Sequence, residues 1–203
     1  MLKRFLVSLA FVGLAASVAG AQQQSVRVRG IVAAVDAGSL TVTTATGTAT
    51  IALADPLRVT LVEPADLAGI KAGDFIGSGA VPQADGTQRA VEVHVFAESM
   101  RGTGEGFHPW TGAPNGTMTN ATVHDVGVAT VGQISGRMLT LAYAGGQQRL
   151  FIPPGTPIVR HTPGDRSALR GGAHVSINAT KRADGSLSAA SVSVGKDGYT
   201  PPV

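Results

Sequence analysis

The chain has 203 residues, 16 Lys and Arg against 13 Asp and Glu, and no cysteine. The missing cysteine excludes a disulfide framework, a thiol nucleophile, thiolate metal ligands and a lipidated N-terminal cysteine. Few charges among many Gly, Ala, Val and Thr suit short strands and tight turns, and the length allows one substantial domain or two small ones.

The N-terminus has the pattern of a secretory signal. Lys3 and Arg4 precede the apolar stretch Phe5 to Val18, and Ala19-Gly20-Ala21 is a small-x-small cleavage site. The apolar stretch is shorter than the roughly 20 residues of a membrane span. Residues 1–21 are therefore expected to be a cleaved signal peptide, with no membrane insertion afterwards. Removing Lys3 and Arg4 leaves 14 basic residues against 13 acidic ones, so the mature chain is nearly neutral. Nucleic-acid binding then loses its electrostatic support. An exported, cysteine-free chain of this kind points to the bacterial periplasm.

Most of the remaining sequence is written twice. Residues 30–95 lie over 129–194 without gaps, at a constant offset of 99. Leu40-Thr41 meets Leu139-Thr140, Pro64 meets Pro163, Asp66 meets Asp165, and Ala84-Asp85-Gly86 meets Ala183-Asp184-Gly185. Such a register marks a duplicated structural unit. In the first copy, alternation predicts strands over Ser25 to Val35, Leu40 to Thr44, Thr48 to Ala54 and Leu57 to Val62. Asp66 is placed to cap one helical turn. A hairpin follows from Asp74 to Val95, turning at Ala84-Asp85-Gly86. The second copy predicts strands over Ala129 to Ser135, Arg137 to Ala142, Gln147 to Ile152 and Pro157 to His161, then a hairpin of His174 to Lys181 with Ser186 to Val194. Five or six short strands in about 66 residues suggest a small barrel of the oligonucleotide/oligosaccharide-binding (OB-like) type. The expected architecture is all-β: two tandem OB-like barrels, 22–96 and 126–198, joined by a structured linker at 97–125 and followed by a tail at 199–203. An open sandwich of the two sheets is the alternative.

Particular residues suggest kinship. They are the Gly-Ile-Val and Ser-Leu-Thr-Val strands, Ile70-Lys71-Ala72-Gly73-Asp74, the Ala-Asp-Gly-Thr/Ser hairpins, Met100-Arg101-Gly102-Thr103-Gly104-Glu105-Gly106 and Pro153-Pro154-Gly155-Thr156-Pro157. With them, nearly the whole mature chain resembles the bacterial exported domain-of-unknown-function family numbered 5666. That resemblance implies a periplasmic β-barrel domain and no established activity.

Residues 96–125 have no counterpart at the offset of 99, and they concentrate unusual side chains. Three readings compete there. The first makes the segment a packing element that fixes the two barrels, with Trp110, Phe107 and Phe96 as buried anchors. The second makes it a soft-metal site of His108, His124, Met100 and Met118, where imidazole and thioether favour copper or zinc. The third makes it the wall of a groove for a glycan or peptide, with Trp110 as stacking platform beside Phe107, Arg101 and Glu105.

Catalysis finds little support. Gly-x-Ser-x-Gly is absent, and Gly102-Thr-Gly-Glu-Gly106 lacks the Lys-Ser/Thr continuation of a phosphate loop. The sequence thus points to a non-catalytic periplasmic binding or scaffold protein using the inter-barrel surface. Its partner would be an unidentified protein or glycan of the cell envelope. A copper- or zinc-binding protein with ligands in the inter-repeat segment is the alternative.

Overall fold

A computed structural model describes residues 24–202, so the expected signal peptide lies outside the described residues. The described chain is all-β, with no helix longer than a single 3-10 turn. Among the described residues, no helix is long and apolar enough to cross a membrane. Twelve strands form: β1 (Gln24–Val35), β2 (Ser39–Thr44), β3 (Gly47–Pro64), β4 (Phe75–Pro82), β5 (Gln88–Phe96), β6 (Gly106–Pro109), β7 (Thr117–Val131), β8 (Ile134–Tyr143), β9 (Gly146–Ile152), β10 (Ile158–Gly164), β11 (His174–Lys181) and β12 (Leu187–Gly195).

Their pairing closes two five-stranded circuits. The first runs β1-β2-β3-β12-β11 and returns to β1, with β3 and β12 parallel. The second runs β7-β8-β9-β5-β4 and returns to β7, with β9 and β5 parallel. Neither circuit comes from one copy of the repeat. Each takes three strands from one copy and the last hairpin from the other. The expected tandem arrangement is corrected accordingly: neither 22–96 nor 126–198 closes a circuit alone.

The reason lies in the long third strand. Residues 57–63 contain no residue suited to a tight turn, so β3 runs on past its own circuit. Asp66 then caps a 3-10 turn, accepting a hydrogen bond from the Ala68 amide at 2.9 Å. Ile70 just beyond it is buried in the other circuit's core. The second copy repeats the manoeuvre: Asp165 accepts from the Ser167 amide at 2.8 Å, and Leu169 enters the first core. The two overrunning segments zip together, Val59–Pro64 antiparallel to Val159–Gly164, with Val62 directly opposite His161. These two residues occupy the same position of the repeat, so a pseudo-twofold axis passes between them.

The two cores correspond residue by residue at the offset of 99. Leu40, Val42, Ile51, Val175, Val192 and Val194 fill the first, and Leu139, Leu141, Leu150, Ile76, Val93 and Val95 fill the second. Each such burial is worth about 1.5–3 kcal/mol relative to exposure.

The first strand obeys a different register. Ile31 pairs with His174 and Thr43, and Thr122 pairs with the corresponding Phe75 and Ala142. β1 and β7 are therefore equivalent at an offset of 91, and both carry a bulge at the matching place, Val32/Ala34 and Val123/Asp125. The second copy's first strand begins at Thr117, inside the expected linker. Ala129 to Ser135, expected to be that strand, instead forms the tip of a lengthened β7–β8 hairpin that exposes Val128 at 80% and Ile134 at 40%.

The remaining connection, 97–116, is held down by Trp110. The indole is buried and lies over Gly79 of β4, where an added Cβ would stand 2.7 Å from the ring. Because each core draws strands from both copies, we expect Ile51→Ala and Leu141→Ala each to shift one common thermal unfolding transition. The expected loss is about 2–5 kcal/mol for either. Two separable transitions, each moved by only one variant, would contradict the exchanged pairing.

Candidate functional site

Strand β5 separates two environments by alternation. Val93 and Val95 point into the second core, while Glu92, His94 and Phe96 lie on the opposite face, toward the pseudo-twofold axis. There Glu92 and His94 border a cleft of about 180 Å³ between the circuits. Arg27, Ser176, Asn178, Ser191 and Ser193 line its far side, and Val62, Met118 and His161 complete it near the axis. Pro201 and Pro202 of the C-terminal tail also border it, and the Pro201 carbonyl accepts a hydrogen bond from Arg29 at 2.5 Å.

A polar chain crosses the cleft. Glu92 is only 2% exposed, and its Oε1 lies 2.9 Å from Nε2 of His94. Nδ1 of His94 lies 3.0 Å from Nε2 of His161. The two rings are tilted, with centroids 4.7 Å apart, and Phe96 meets His161 edge-on at 5.3 Å. The Glu92 carboxylate can only accept, so when ionised it fixes a proton on Nε2 of His94. Burial first, and then the charge of His94, push the His161 pKa down to about 3.

The cluster is asymmetric on a symmetric frame. At the offset of 99, Glu92 corresponds to Ser191, His94 to Ser193, Phe96 to Gly195 and His161 to Val62. At the offset of 91, Arg27 corresponds to Met118. Large side chains on β5 thus occupy the room that small ones on β12 leave. Neither Glu92 nor His94 nor His161 was singled out by sequence. For Glu92 and His94 the signal was present in the ungapped repeat, as polar differences between the copies beside the shared valines at 93/192 and 95/194.

The residues that were singled out scatter. Trp110 is 7% exposed, with its ring against Gly79, Gly112 and Gly116, so it presents no face on which a ligand could stack. Phe107 is 40% exposed on β6 and is not a buried anchor. Arg101 binds Glu98 at 2.6 and 2.7 Å and donates to the Gly73 carbonyl at 2.8 Å, which ties the 97–105 loop to the second circuit. Glu105 accepts from the Ala144 amide at 3.0 Å. These two charged groups serve as loop fastenings.

The expected metal set does not converge. His108 and Met118 are cross-strand partners on β6 and β7. His124 lies six residues further along β7, roughly 20 Å away at the rise of an extended strand. Met100 borders an adjoining groove with Phe96 and His161. Of the four, Met118 lines the central cleft. Among the described residues, no three His, Asp or Glu side chains are placed to hold one metal ion.

Comparison with protein families, curated proteins and solved structures finds no match to this chain. The cleft must be interpreted from its own chemistry.

The depressed His161 pKa makes a stability prediction. Folding favours the neutral ring, so its contribution is complete above the ordinary pKa of 6.5 and is lost as the pH falls toward 3. Exposed carboxylates with lowered pKa, such as Glu63 and Asp165, act below about pH 4.5. Between pH 6.5 and 4.5, the chelator-treated protein should therefore lose more unfolding free energy than His161→Val. The expected difference is at most about 3 kcal/mol at ~1.4 kcal/mol per pKa unit, less the screening by cleft water. Equal slopes in urea titrations of the two proteins would show that His161 is not buried neutral.

Proposed function

We propose that this chain is an exported periplasmic protein that binds a small polar ligand, without catalysis, in the cleft on its pseudo-twofold axis. The observation that carries the proposal is the buried Glu92–His94–His161 chain, whose symmetric positions carry Ser191, Ser193 and Val62. A carboxylate as buried as Glu92 is costly to desolvate. A merely structural position would be filled more cheaply by the Ser or Val found at the symmetric sites.

Several features support binding over turnover. The volume of the cleft suits a small solute or ion, not a polymer. Ser191 and Ser193 line it, but no hydroxyl among the described residues hydrogen-bonds to either imidazole of the pair, so the relay ends without an activated nucleophile. Each circuit has the strand order first-second-third-fifth-fourth with a parallel closing pair. This favours reading both as OB-like barrels with exchanged hairpins, a shape compatible with the proposed kinship to family 5666. The interface between such barrels is a natural place for a ligand site.

Chemical-shift mapping tests this. With isotope-labelled mature protein and a panel of copper, zinc, phosphate, amino acids and short oligosaccharides, at least one solute should perturb amides at 92–96, 118, 160–162 and 191–194. The tip of the β7–β8 hairpin should stay unmoved. Perturbation confined to 106–110 and the hairpin tip, or none with any solute, would remove the cleft from consideration.

A further inference from the structure

Four observations meet at the axis. His94 and His161 direct ring nitrogens at one another across 3.0 Å. The other nitrogen of His94 is taken by the buried Glu92 carboxylate at 2.9 Å, which leaves the lone pair of Nδ1 directed toward His161. The thioether-bearing Met118 lines that same cleft. The symmetric positions carry Ser193, Val62, Ser191 and Arg27, so this set occurs on one side of the axis alone.

A carboxylate hydrogen-bonded to the far nitrogen of an imidazole is the usual outer support of a metal-ligating histidine, fixing its tautomer and aim. Two nitrogens 3.0 Å apart also suit a shared ion. At bond lengths of about 2.0–2.1 Å they would subtend roughly 95°. Glu92 acts outside such a coordination sphere, so the donors are two imidazoles and one sulfur, not three oxygen- or nitrogen-bearing side chains. Imidazole with thioether is a soft to borderline set, and it selects copper over magnesium, calcium or manganese.

We propose that the cleft binds one copper ion, held by Nδ1 of His94, Nε2 of His161 and the sulfur of Met118, with Glu92 orienting His94. This names the ligand class of the cleft and rests on the cleft being the binding site. The copper-site residues expected from sequence are replaced, except Met118. Pro201 and Pro202 border the same space, so the docked tail limits access by water.

The test is titration of chelator-stripped mature protein with Cu(I) against a chromophoric competitor. One copper per chain is expected. His161→Val and His94→Ser place the residues of the symmetric positions and so suit the fold. Each should weaken binding by 100-fold or more, and Glu92→Gln by 10- to 100-fold. His108→Ala/His124→Ala should bind as the parent does. A copper-edge absorption spectrum of the loaded parent, which needs no variant, should show imidazole nitrogens and one sulfur.

Substoichiometric copper, affinity unchanged in His161→Val and His94→Ser, loss in His108→Ala/His124→Ala, or a spectrum with oxygen neighbours alone would each overturn the proposal. Phosphate or another panel solute shifting residues 92–96 in a protein that ignores copper would overturn the copper assignment and leave the cleft as the site. No response to any solute would end both.

Discussion

Everything in this fold depends on one antiparallel contact, Val59–Pro64 against Val159–Gly164. One segment is the tail of β3, and the other is β10, which follows β9 after the turn at 153–157. By pairing with its own copy, each satisfies backbone groups that would otherwise form an exposed edge. The contact is self-complementary, as at the interface of a twofold dimer, but here both halves belong to one chain. Once it forms, the hairpin that follows each third strand is delivered to the far side, and both cores are assembled from two copies.

That exchange costs little in local energy. In a duplicated sequence, β12 beside β3 makes nearly the contacts that β5 would make there, since Val192 and Val194 replace Val93 and Val95 one for one. What decides between exchanged and unexchanged forms is the hinge. An extended hinge gains the β3–β10 pairing, and a folded one would need a turn that Leu57 to Glu63 does not encode. The parallel pairs β3–β12 and β5–β10 then brace the hinge from both sides, which couples the two circuits into one cooperative structure.

The same logic explains what the sequence could and could not reveal. Strand positions were legible because apolar alternation survives in both copies, and Asp66 and Asp165 announce their caps by type and place. Which hairpin closes which circuit was not legible, because both hairpins carry the same apolar pattern and it holds no label for partner choice. The eight-residue slip of the first strand was hidden because Ala121 to Val126 shares only Val123 and Val126 with Gly30 to Val35. The site was missed for a different reason. On an alternating strand a polar face normally means solvent, and Glu92 and His94 read that way until β10 and β12 enclose them. The differences Glu92/Ser191, His94/Ser193 and His161/Val62 stand in the ungapped alignment, but they are single changes among many, whereas the segment 96–125 gathers its unusual side chains in one stretch.

A covalently joined pair of repeats can do what a true twofold dimer cannot. In a dimer every residue near the axis meets its own copy, so a histidine at position 161 would bring a second one to position 62. A second carboxylate would likewise stand opposite Glu92. Two such sets would compete for a cleft of about 180 Å³ and place like groups face to face. Fusion lifts that restriction. The side of the axis built on β3 and β12 keeps Val62, Ser191, Ser193 and Gly195 as spacers, and the side built on β10 and β5 carries the imidazoles, the carboxylate and Phe96. Much of each core remains matched, as Leu40 with Leu139, Val42 with Leu141 and Val192 with Val93. Divergence across the axis thus permits a single polar site that symmetry would have forbidden, and the frame that holds it is left intact.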